Sequence, residues 1–121
     1  MLNSRRELGL AAESAVAHYL EQHGFSVLAR NLHVGRDELD VVARQGPLVV
    51  IVEVRTRGVG AFTSAFGSIS AAKRLRLRRA GARLWDRQLR EDPSIERLRF
   101  DAASVRFIDG APQIEYVAAA F

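Results

Sequence analysis

Two acids, Asp40 and Glu53, stand on short apolar segments, Glu38–Arg44 and Leu48–Arg55, whose β-branched and aliphatic residues read as strands on either side of Gln45-Gly46-Pro47. If Gly46-Pro47 is a two-residue hairpin loop, Asp40 lies directly across from Glu53 and Glu38 directly across from Arg55. Opposed side chains on one face of such a pair have Cβ atoms roughly 4.5–5.5 Å apart, so the two carboxylates repel each other. The other face (Leu39, Val41, Ala43, Val50, Val52, Val54) is wholly apolar. Something cationic must lie between the acids. A few carboxylates, completed by waters and backbone carbonyls, are what Mg²⁺ or Mn²⁺ accepts. An ion held in this way lowers the pKa of a bound water and stabilises charge on a transferring phosphoryl group. Arginine could neutralise the same acids instead, and the chain has seventeen of them.

Glu13 and Lys73 are turned inward by helical geometry. Leu8, Ala12, Ala15, Val16, Tyr19 and Leu20 recur at helical spacing between Leu8 and His23, with Ser14, His18 and Glu21 opposite and Gly24 as the stop. Glu13 projects to the edge of that apolar face beside Val16 and Leu20, where an acid needs a partner. A second helix, capped by Ser68 or Ser70, runs to about Arg90, and Pro93 closes the connection after it. Lys73, the sole lysine, lies on the flank of Leu77, Ala80 and Leu84. Its ammonium can serve a site on the core side, or its stem can cover apolar surface while its head reaches water.

The same helix carries most of the chain's charge. Lys73 to Arg90 holds eight basic residues and one acid, Asp86, against a whole-chain net charge of +4. Arg76, Arg79, Arg83, Arg87 and Arg90 project within one arc, with Leu75, Leu77, Ala82, Leu84, Trp85 and Leu89 facing inward. Five like charges without interleaved acids repel by some tenths of a kcal/mol per i,i+4 pair. A polyanionic partner, DNA first, accounts for the stripe better than solvation alone. Such contacts give affinity and salt dependence rather than sequence reading.

The remaining elements follow from turn residues. Phe25–Leu32 reads as a strand and His33–Asp37, with Gly35, as a turn. Thr56–Gly67, with three glycines, reads as a loop. Arg97–Ile108 looks extended, Asp109-Gly110 turns, and Gln113–Val117 makes a last strand. The order α-β-β-β-α-β-β defines one α/β domain over residues 1–121, a mixed central β-sheet flanked by two main helices. At 121 residues, 48% apolar and 26% charged, the chain can build one core unaided. The absence of cysteine excludes a disulfide framework, a thiolate zinc site and a thiol nucleophile. His18, His23 and His33 lack metal-ligand spacing. Gly58-Val59-Gly60 follows a strand, but Thr63 stands where a dinucleotide fingerprint needs its third glycine, so a nucleotide-cofactor site is rejected. The loop, with Arg57 and Phe62, reads as a connector or as a flap over a bound polyanion. The first residues lack a signal peptide's apolar stretch, and the longest aliphatic run, Leu48–Val52, cannot span a bilayer. A cytoplasmic, soluble protein with no membrane partner is expected.

Glu38-Leu39-Asp40, then Val52-Glu53-Val54-Arg55, with Glu13 on a preceding helix, resembles the D…E-x-K active-site pattern of the restriction-endonuclease-like nucleases, archaeal Holliday junction resolvases among them. Tyr19-Leu20, Gly24-Phe25, Ala29-Arg30-Asn31, Thr56-Arg57, Lys73 and Arg99-Phe100-Asp101 extend the match, in order and spacing, to the YraN family of small bacterial proteins over nearly the full length. The resemblance implies a restriction-endonuclease-like fold and Mg²⁺- or Mn²⁺-dependent hydrolysis of DNA phosphodiesters, on branched or damaged DNA in repair or recombination. It implies Asp40 and Glu53 as metal ligands, Val54 lending its carbonyl, and Glu13 completing the site directly or through water. Arg57 and the arginine stripe would hold the DNA. Arg55 stands where the superfamily has lysine, and Asp37 where a glycine usually precedes the family's Glu-Ile-Asp. Arginine stays protonated, so Arg55 can stabilise phosphate charge but cannot deprotonate a water. Lys73 could supply the ammonium from another element. Asp101 suggests an ion pair. A symmetric homodimer is an analogy with resolvases only. Two other readings use the same residues: a DNA-binding module of this fold without turnover, and a protein-interaction domain whose basic helix meets an acidic partner.

Overall fold

In the computed structural model, which describes residues 4–57 and 69–121, the first helix starts where a serine can cap it. The Ser4 hydroxyl accepts the Glu7 N–H at 3.1 Å, and α1 runs from Arg5 to Gln22. It begins almost a turn before Leu8, because the cap rather than the apolar periodicity sets the start. Its end is a Schellman turn: Gly24 adopts φ 87, the Gly24 N–H donates to Glu21 O and the Phe25 N–H to Leu20 O.

Three antiparallel strands follow, β1 (Ser26–Val34), β2 (Asp37–Gln45) and β3 (Leu48–Thr56). Two-residue loops, Gly35-Arg36 and Gly46-Pro47, join them, with Gly35 at φ 63 and Gly46 at φ 59. The β2–β3 register is the one the loop length predicts, from Gln45↔Leu48 to Val41↔Val52. The ladder stops there, so Glu38 does not pair with Arg55 across it. Its neighbour is His33 on β1.

The second helix, α2 (Ala71–Arg87), is capped by the Ser70 hydroxyl, which accepts the Lys73 N–H at 3.1 Å. It ends before Arg90, which sits instead in a 3₁₀ turn, Leu89–Glu91. Strand β4 (Arg97–Ile108) returns parallel to β3, and β5 (Ala111–Val117) pairs antiparallel to β4 through Asp109-Gly110, both at positive φ. The sheet order is β1-β2-β3-β4-β5. The Phe62 flap, Ser68 and the Gly58-Val59-Gly60 segment lie outside the described residues.

The helices cover opposite faces. On one, Ala12, Val16 and Leu20 of α1 pack on Val41, Val50, Val52 and Val105. On the other, Leu77, Ala80 and Leu84 of α2 pack on Val42, Val49 and Ile51. Leu39 belongs to the α2 side rather than with Val41 as strict alternation expects. The slip falls at Asp40, opposite the place where Asn31 on β1 takes the left-handed φ of 50 and interrupts the pleat. Leu75 is 63% exposed and Ala82 is exposed, against the inward placement their pattern suggested. Each lies two residues, some 200°, from Leu77 or Ala80 on the packed stripe. Asp101, fully buried on β4, binds Arg99 through two hydrogen bonds of 2.8 and 2.9 Å, the Tyr116 hydroxyl and the Ala119 N–H. The expected ion pair is therefore also a tie to the end of the chain. No described helix is long and apolar enough to cross a membrane.

Two helical glycines separate propensity from packing. A Cβ at Gly81 would meet Phe100 Cζ at 2.6 Å and Ile51 Cδ1 at 3.1 Å, whereas one at Gly9 would meet nothing within 4 Å. Gly9→Ala is expected to stabilise by about 1 kcal/mol. Gly81→Ala gains the same propensity but overpacks the sheet at a cost of about 1–3 kcal/mol, so its net effect is destabilising. Urea unfolding of the two variants should give opposite signs.

Candidate functional site

The acids converge where the β2–β3 ladder ends. One residue beyond Val41↔Val52, the Asp40 carboxylate rather than a ladder carbonyl accepts the Val54 N–H, at 2.9 Å from Oδ2. That bond holds Asp40 beside Glu53, a carboxylate only 5% exposed. Lys73 reaches Glu53 from the first turn of α2, Nζ to Oε2 at 3.3 Å, and the Ser70 cap on its own N–H fixes where that turn begins. From the opposite face α1 contributes Glu13. An Arg30 bond to Ser14 Oγ at 2.8 Å ties this stretch of α1 to β1. Glu13, Asp40, Glu53, Val54, Arg55 and Lys73 all line one cavity of about 320 Å³.

Two adjoining hollows extend it. One of about 470 Å³ sets Arg5, Arg6 and Asn31 against Glu13 and Glu38. Another of about 290 Å³ sets Arg36, Lys73 and Arg76 against Glu38 and Asp40. The result is an anionic centre within a cationic rim.

One carboxylate oxygen from each of Glu13, Glu38 and Asp40 lies within 4.8 Å of the others. The proton affinities record the crowding. Burial raises the pKa of Glu13, and the charges of Asp40 and Glu38 add to the rise against an Asn31 hydrogen bond and Arg30. Glu53 is pushed up to about 8, first by burial, then by a hydrogen bond and charge from Asp40, against the pull of Lys73 and Arg55. These donors are hard oxygens without thiolate or imidazole among them, at a spacing one small divalent cation can bridge. They fit Mg²⁺ or Mn²⁺, and such an ion would relieve the repulsion that the raised pKa values express.

Every residue that the sequence assigns to the acid site lines this one cavity. Val54, expected to lend its carbonyl, also donates its N–H to Asp40. Glu53, expected as a metal ligand beside Asp40, stands 3.3 Å from the Lys73 ammonium. Arg55 lines the wall with its Nε buried and without a hydrogen-bond partner among the described residues. Glu38, which the sequence reading leaves out of the acid site, adds an oxygen to this cluster, and Glu-x-Asp places it two residues from Asp40. Arg5, Arg6 and Arg36 were missed because a helix start and a tight turn give no periodic signal. The arginine stripe divides: Arg76 flanks the acids, and Arg83 packs over Gly35, where a Cβ would lie 2.6 Å from its Nη1. Arg79 and Arg87 are exposed along α2, Arg90 lies beyond the helix 3.9 Å from Asp86, and Arg57 approaches Glu115 at 3.8 Å.

An α/β domain with an acid-lined cleft at the mouth of its β2–β3 hairpin is thus the class that fold and site define. The family model described as Uncharacterised protein family UPF0102 matches residues 12–105. A UPF0102 protein of Sorangium cellulosum is 51% identical over 120 residues, covering 98% of this chain and 83% of the relative. One of Anaeromyxobacter dehalogenans is 37% identical across 98% of this chain and 87% of its own length. One of Geobacter metallireducens is 34% identical across 96% and 93%. The chain belongs to the UPF0102 family, the YraN family that its motifs resemble.

The Glu53 shift has a definite sign in stability. In metal-free protein the folded state keeps a proton that the unfolded chain, with an ordinary value near 4.5, releases. The stabilisation from that proton is complete below pH 4.5 and is lost as pH rises to about 8. Urea unfolding in chelator should show this decline, and Glu53→Gln should remove it. Asp40→Asn, which removes a cause of the rise other than burial, should shift the decline to lower pH.

Proposed function

We propose that this chain is a Mg²⁺- or Mn²⁺-dependent DNA endonuclease that hydrolyses phosphodiester bonds, with branched or damaged DNA in repair or recombination as its substrate class. The observation that carries the reading is the single cavity in which Glu13, Asp40, Glu53 and Lys73 meet from α1, β2, β3 and α2. The order of the D…E-x-K-like motif and the cationic rim support it.

Glu13, Glu38 and Asp40 are the residues that would hold the ion, which when bound supplies Lewis-acid stabilisation of phosphoryl charge and a water of lowered pKa. The rest of the chemistry belongs to the chain. Asp40 is oriented by the Val54 N–H and so presents a fixed oxygen rather than a rotating one. Glu53 holds the Lys73 ammonium at the cavity wall. There Lys73 would supply, from a different element, the ammonium of the D…E-x-K pattern, while Arg55 lines the same cavity as a permanent cation. Both would neutralise the non-bridging oxygens of a phosphodiester as negative charge builds. Arg36 and Arg76 on one flank, and Arg5 and Arg6 on the other, would take neighbouring phosphates.

The test is cleavage of supercoiled plasmid and four-way-junction DNA with Mg²⁺ or Mn²⁺ present, and with chelator as the control. The proposal expects cleavage that Asp40→Ala and Glu53→Ala abolish and that Lys73→Ala lowers by about 10²–10³-fold. DNA retention without cleavage under any divalent ion would replace it with the binding module. Absence of salt-sensitive DNA affinity would leave the protein-interaction domain.

A further inference from the structure

A second polar cavity lies on the same sheet face as Glu53, farther along the strands. It has about 180 Å³ and is lined by Arg57, Ser104, Arg106, Gln113, Ile114 and Glu115. The register explains the gathering. Ala103 and Val105 of β4 pack toward α1, so Ser104 and Arg106 point to the other side. Val54 of β3 also packs toward α1, so Arg55 and Arg57 share that side with them. The α2 core reaches only Ile51 on β3 and Phe100 on β4, leaving the later part of both strands beyond the helix.

Two features of this cavity call for an anion. The Arg57 N–H donates to Val105 O at 2.9 Å and continues the parallel pairing, which sets Arg57 and Arg106 side by side at the cavity wall. Neighbouring like charges on one sheet face are unfavourable. Glu115, 3.8 Å from Arg57 and more than half exposed, is the one acid among the described residues that line the cavity beside these two cations. Independently, Ser104 is 2% exposed, lines the cavity, and its hydroxyl is buried without a hydrogen-bond partner among the described residues. A buried hydroxyl left unmatched costs stability, and here it stands beside two guanidinium-bearing residues. Ser104 is also the register partner of Arg55, whose Nε is likewise buried and unmatched among the described residues, and Arg55 lines the acid cavity. The two cavities are therefore joined through adjacent positions on β3 and β4.

We propose that the Arg57–Ser104–Arg106 cavity is a phosphate subsite that holds one backbone phosphate of the DNA strand leaving the acid cleft. The inference rests on the nuclease reading for the identity of the strand, but not for the chemistry of the pocket. Ser104 donates its hydroxyl to a phosphate oxygen, and Arg106 and Arg57 supply the charge-assisted bonds. Along β3, Arg57 lies four residues from Glu53, roughly 13 Å, so the strand would be held at two separated points and could not pivot about the cleft.

The experiment pairs two probes on the full chain. Inorganic phosphate is titrated while amide NMR shifts are followed, and a short oligonucleotide is titrated by fluorescence anisotropy at several salt concentrations. Phosphate should shift Ser104, Arg106 and Gln113 but not α2. Arg106→Gln should weaken phosphate binding about tenfold or more, and lower the DNA affinity and its salt slope by about one. Ser104→Ala loses no hydrogen bond to the described residues, so it should fold at least as stably while binding phosphate more weakly. Phosphate shifts without any DNA effect of Arg106→Gln would overturn the strand assignment and leave a free-anion site. Absence of shifts in the pocket overturns the subsite. If phosphate binds as described but wild-type protein shows no DNA affinity, the nuclease reading fails and the anion pocket stands.

Discussion

The bond from the Val54 N–H to the Asp40 carboxylate governs this molecule more than any other single contact. It forms one step past the last β2–β3 ladder pair, where a side chain takes over an amide that a regular hairpin would give to a backbone carbonyl. Because it satisfies that amide, the two strands can leave register without burying an unmatched donor. Because the acceptor is a carboxylate, a negative charge is fixed at the mouth of the hairpin. The acids crowd around that one substitution of partners.

The two helices pack on opposite sides of the sheet and can contribute to one site only near an edge or an end of strands. Here they do so at the end where β2 and β3 part. Glu13 comes over from one face and Lys73 from the other, each set by local chemistry: the Arg30–Ser14 bond for α1 and the Ser70 cap for α2. Glu53 keeps its proton unusually tightly because burial and the neighbouring carboxylate outweigh two nearby cations. The balance of charge in the cleft is therefore unsettled in the isolated chain.

Much of this was legible in the residues. Strict spacing across Gly46-Pro47 predicts the hairpin register, and β-branched runs predict the buried strands. The helical flank of Leu77, Ala80 and Leu84 correctly turns Lys73 toward the sheet. What was not legible is where regularity fails. Alternation puts Leu39 with Val41, but the interruption at Asn31 and Asp40 sends it to the other core, and the same irregularity brings Glu38 into the acid cluster. Local pattern cannot show a break whose cause is a contact with another strand. Leu75 and Ala82 were misplaced because an arc of arginines was taken to define its complement, whereas close approach at Gly81 narrows the packed stripe. Ser104 gave no signal at all; a lone serine in an extended run becomes notable only when its neighbours on two other strands are known.

The contact at Gly81 reaches further than packing. It lies eight residues from Lys73, about 12 Å along the axis of α2, and seats the helix against Phe100 and Ile51 with no room for even a methyl group. The helix therefore behaves as a rigid lever whose fulcrum is glycine, and the reach of the ammonium at its tip is set by the absence of a side chain two turns away. Selection on the charge geometry of the cleft would accordingly act on a residue that carries no functional group.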